Sequence, residues 1–80
     1  MKIIAKKHYS YILFERNEDW VLTLLIGGVA EEDVSVLLTS EEIEAVKSDL
    51  GSIEKIVHEV KFNRSSFSHR EIVPAIWPSG

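Results

Sequence analysis

Eighty residues, 45% of them apolar and 28% charged, suit one small domain spanning 1–80 with a modest core rather than a disordered tail. The absence of cysteine excludes a disulfide scaffold, a thiol nucleophile and a zinc–cysteine site. The net charge of −4 is uneven: residues 31–54 hold eight acids against Lys47 alone, while Lys2, Lys6 and Lys7 make the start basic. That layout argues against nucleic acid as a partner, because a phosphate backbone rewards clustered Lys and Arg.

Residues 1–7 are basic and only briefly apolar, so they read as an edge strand or arm rather than a secretion signal. No apolar run approaches the length of a membrane span, and a cytoplasmic protein of bacterial type is the expectation. His8, Ser10, Ile12 and Phe14 alternate with Tyr9, Tyr11 and Leu13, a density of aromatic and branched residues that favours a strand. Asn17, Glu18 and Asp19 are polar turn formers, and a hairpin with three to four connecting residues is expected there.

Trp20, Leu22, Leu24 and Ile26 then alternate with Val21, Thr23 and Leu25. A strand apolar on both faces calls for another layer or a twin, so residues 20–26 are a candidate homodimer surface. Gly27 and Gly28 end it as a turn; with acids rather than a Lys-Ser/Thr pair following, they do not resemble a phosphate-binding loop. Val34, Val36 and Leu38 alternate in a third strand.

Thr39 stands three residues before Glu42, the spacing of a capping box. Ile43, Val46 and Leu50 follow on one helical face, Gly51 interrupts the run, and Ser52 is placed to cap a second helix with Ile53, Ile56, Val57 and Val60 as its stripe. Glu54 with His58 and Lys55 with Glu59 have the i,i+4 spacing of paired surface groups. Phe62 is placed to close the lower end of the core. Residues 64–80 read as an irregular segment, with Glu71, Ile72 and Val73 as a candidate short strand and Ala75, Ile76 and Trp77 able to fold back over an open side of the core or enter another subunit.

The expected fold is therefore α+β: an antiparallel three-stranded meander, with a fourth C-terminal strand as an option, packed against two short consecutive helices in the order β-β-β-α-α(-β). The expected core is Leu13, Leu22, Leu24, Val36, Leu38, Ile43, Val46, Leu50, Ile53, Ile56, Val57, Val60 and Phe62.

Chemistry is sparse. Ser66 or Ser68 beside His69 could form a nucleophile–base pair, but sequence adjacency does not supply the geometry and no glycine-bounded turn surrounds the serines. His8, His58 and His69 lack metal-ligand spacing, and neither a cofactor nor a metal is expected. Acids near the start of the first helix are accounted for by its unsatisfied backbone donors.

The leading functional reading is a noncatalytic protein-binding module, with Glu31, Glu32, Asp33, Glu41 and Glu44 as an acidic edge and Trp20 and Trp77 as anchors against a basic protein. In overall style this is similar to small bacterial immunity proteins and antitoxins, which inhibit a basic toxin or enzyme, although no family motif carries the likeness. A homo-oligomeric structural or regulatory domain is the alternative, and a small hydrolase using Ser66 or Ser68 with His69 is the third.

Overall fold

The computed structural model describes residues 1–8, 10–27 and 32–78. Tyr9, Gly28 and the candidate Glu31 lie outside them. The elements run β1 (Lys2–Lys7), β2 (Tyr11–Arg16), β3 (Asp19–Ile26), β4 (Glu32–Leu37), α1 (Ser40–Ser48), α2 (Ser52–Phe62), a 3-10 helix (Arg64–Arg70) and β5 (Glu71–Ile72). All five strands form one antiparallel sheet in the order β1-β2-β3-β4-β5.

The three-stranded meander with two helices is thus corrected to a five-stranded sheet with three helical elements. The basic arm is strand β1, whose pairing with β2 shifts between Ile3 and Ala5. That bulge turns Ile4 onto the main core while the lysines stay exposed, so an apolar alternation never forms in the sequence. The serine-rich stretch 64–70 is helical because Phe67 anchors it in the core. β5 pairs Ser35 with Ile72 and Val36 with Glu71.

The β2–β3 turn is tighter than expected. Arg16 pairs with Asp19, leaving only Asn17 and Glu18 at the tip, with φ of 50° and 72°. Two successive positive φ values match the twist of a two-residue hairpin.

The pleat divides the sheet cleanly. One face carries Leu13, Leu22, Leu24, Val34 and Val36, which meet Val46 of α1, Ile53, Ile56, Val57 and Val60 of α2, and Phe67. Each fully buried branched side chain contributes about 1.5–3 kcal/mol. The other face carries Ile12, Phe14 and Val21, against which Leu37, Ile72 and Ile76 pack. The chain after β5 therefore lies across the second face, and β3, paired with β2 on one side and β4 on the other, is the middle strand of five. Much of the two-faced apolarity of residues 20–26 is met within the chain, with Leu25 and Ile26 left half-buried.

Two expected core residues are at the surface: Leu50 is 63% exposed and Phe62 72%. Leu50 follows Asp49, whose extended backbone (φ −155°, ψ 110°) ends α1 before the apolar stripe reaches it. Asp49 also accepts the Gly51 amide at 3.0 Å, so the break originates two residues before the glycine. Ser52 does not cap α2 through its side chain; its hydroxyl donates to the Ala45 carbonyl at 3.3 Å. Phe62 falls off the 53-56-57-60 stripe and rests on His58, with ring centroids 4.4 Å apart. Glu54 pairs with Lys7 of β1 at 3.1 Å rather than with His58.

Candidate functional site

β4 and the 3-10 helix lie side by side and sort the acids of this region into two kinds. At one end, Arg64 forks onto Glu32, with both nitrogen–oxygen distances 3.0 Å, and also donates to Glu71 at 3.2 and 3.1 Å. These hydrogen bonds hold the Glu32 carboxyl below the usual glutamate range and raise the Arg64 guanidinium above its own. At the other end, Arg70 donates to the Leu37 carbonyl at 3.0 Å and to Glu42, while its guanidinium lies over the Phe67 ring at 4.7 Å.

Glu42 thus has two tasks. Thr39 and Glu42 complete the capping box, with the Thr39 amide donating to Glu42 at 2.8 Å and the Glu42 amide to Thr39 at 3.2 Å. Burial pushes the Glu42 carboxyl up, but hydrogen bonds from Arg70 and the Thr39 backbone outweigh it, and the net shift is downward.

The remaining candidates fall into two groups rather than one edge. Glu41 and Glu44 are exposed on α1, three residues apart and so neighbours on one face. Lys47 stands 3.7 Å from Glu44 and 5.8 Å from the centre of the half-buried Trp20 ring, tying that tryptophan to the same side of α1. Glu32 and Asp33 begin β4, whereas α1 follows its far end, a strand length of about 17 Å away. There Asp33 accepts the Trp77 indole N–H at 2.7 Å.

The Ser/His segment has a different local logic. The Ser68 hydroxyl donates to the Ser65 carbonyl at 3.0 Å, within the 3-10 helix, and His69 is exposed on its outer side. Among the described residues, no group of three or more His, Asp or Glu side chains is placed to hold a metal ion, and no helix is long and apolar enough to cross a membrane.

Sequence reasoning missed the two arginines as organisers of the acidic region. A signal was present, since Arg64 and Arg70 bracket the only aromatic residue of the segment. It could not show which acids they would reach across 28 and 32 residues of chain. Comparison of the chain with protein-family models, curated proteins and solved structures finds no match.

Proposed function

We propose that the chain is a noncatalytic protein-binding module that takes a basic protein partner on the outer face of α1, in the manner of a small acidic inhibitor. One observation carries this reading: Glu41 and Glu44 are exposed and are not committed to a buried or bidentate pair, unlike Glu32 and Glu42. The helical span 40–62 holds six acids against three lysines, which favours a cationic protein surface and opposes nucleic acid. The partly buried Trp20 edge beside Lys47 supplies an apolar contact at the same side. The encounter is read as cytoplasmic.

The test is recovery of the untagged protein from native extract at low and moderate salt, followed by native mass determination. A stoichiometric complex with a basic protein that weakens with salt, and that Glu41→Gln/Glu44→Gln fails to form, is the expected result. A complex that survives both substitutions unchanged, or recovery of the chain with no stoichiometric basic component, overturns the reading.

A further inference from the structure

The sheet face opposite the helices is only partly closed by the C-terminal tail, and where the closure stops there is a groove of about 280 Å³. Its floor is Ile12 and Leu25, one wall is Trp77, and the β1–β2 end supplies Lys6, His8 and Ser10 at the mouth. The register explains the meeting. Lys6 is opposite Ile12, and Ile12 is opposite Thr23, which puts the Lys6 side chain on this face, while Lys7, one residue on, reaches Glu54 on the other.

Three properties make the groove a binding site rather than a dent. Trp77 is 44% exposed, yet its indole N–H is held by Asp33 at 2.7 Å, so a flat apolar wall is fixed in place before anything docks. The tail that carries it is itself pinned, since the Ile76 amide donates to Ser35 at 2.8 Å and the Ile76 carbonyl accepts from Thr23 at 2.6 Å. Finally the two ends of the groove differ in charge: Lys6 has no ion pair among the described residues, whereas the Asp33 carboxylate stands at the indole end, already occupied.

We infer that this groove binds a small carboxylate with a flat or branched apolar body, the body against Trp77, Leu25 and Ile12 and the carboxylate at Lys6. A volume near 280 Å³ lies just below the usual range for drug-sized ligands, about 300–1,000 Å³, which suits a fragment-sized acid rather than a folded partner. The Asp33 carboxylate repels the reverse orientation. The site is on the sheet face away from α1 and is independent of the acidic surface.

The test uses the whole chain labelled with nitrogen-15 and three probes: 3-phenylpropionate, 3-phenylpropylamine with the same body and opposite charge, and propionate with the charge and little body. The expected result is a saturable shift of the Trp77 indole N–H and of the Ile12 and Leu25 amides with 3-phenylpropionate. It should be roughly tenfold tighter than with either control, and Lys6→Gln should weaken it by a similar factor while leaving the rest of the spectrum in place. An unmoved Trp77 indole at about 10 mM probe, equal responses to all three compounds, or unchanged binding by Lys6→Gln overturns the proposal.

Discussion

The hydroxyls of Thr23 and Ser35 face each other across β3 and β4 at 2.6 Å, both wholly buried, and together they hold one residue of the tail. The Ile76 amide donates to Ser35, and Thr23 donates to the Ile76 carbonyl. With Ser35 donating to Thr23, each hydroxyl gives one hydrogen bond and accepts one, so a polar pair is satisfied inside an apolar face. The tail is therefore an integral layer, attached through one backbone residue rather than a strand ladder.

Ser35→Ala should destabilise the fold by about 1–3 kcal/mol, because the Ile76 N–H loses its acceptor in a place shielded from water. Thr23→Val should cost a similar amount, and the double substitution less than the sum, since both act through Ile76. Denaturant unfolding of the three variants measures the coupling. Additive losses would mean that the ring does not act as a unit.

Phe67→Ala should cost about 3–5 kcal/mol, whereas Leu50→Ala and Phe62→Ala should each stay within about 0.5 kcal/mol. The first side chain is buried in the main core, and the other two are at the surface. Thermal or denaturant melts give the ranking directly, and a costly Phe62→Ala would place that ring in the core after all.

Glu18→Gly should stabilise the chain by about 0.5–1 kcal/mol. Glu18 stands at φ 72°, where a side chain is penalised by about 1–2 kcal/mol and glycine is not, although glycine returns part of that gain as unfolded-chain entropy. No change on unfolding by denaturant would argue against the two-residue turn.

Stability should fall on the acid side. Glu32 and Glu42 both have lowered carboxyl pKa values in the folded chain, through Arg64 hydrogen bonds for Glu32, and for Glu42 through Arg70 and Thr39 acting against burial. Their contribution is therefore present above the usual glutamate value of about 4.3 and is lost as pH drops through the folded values below it. Arg70→Ala should flatten this dependence and lower stability at neutral pH by about 1–3 kcal/mol, leaving a mostly buried carboxylate without its partner. Unfolding curves between pH 7 and 2 for the parent and Arg70→Ala test the sign. A parent that grows more stable below pH 4 would contradict it.

Much of the helical layer was legible because its information is local. The Thr39/Glu42 box and the Ile53, Ile56, Val57, Val60 stripe are written within a few residues, and the helices form where the spacing predicts them. The central strands were legible for the same reason. What escaped was written at long range. β1 needs β2 to become a strand, Phe67 gives no period to a seven-residue segment, and Ile76 covers the second face only through hydroxyls 41 and 53 residues away. The acidic region was readable as composition but not as geometry, because only folding shows that Arg64 and Arg70 claim Glu32, Glu71 and Glu42 and leave Glu41 and Glu44 outward.

The most direct measurement compares two double variants, Glu41→Gln/Glu44→Gln and Glu32→Gln/Glu42→Gln, for thermal midpoint and for capture of the basic partner from the same extract. The first should keep its midpoint within about 2 °C and lose at least roughly tenfold in capture, and the second should lose several degrees while its folded fraction still captures. Full capture by Glu41→Gln/Glu44→Gln, or capture that tracks the midpoint in both variants, would contradict a binding role for the outer face of α1.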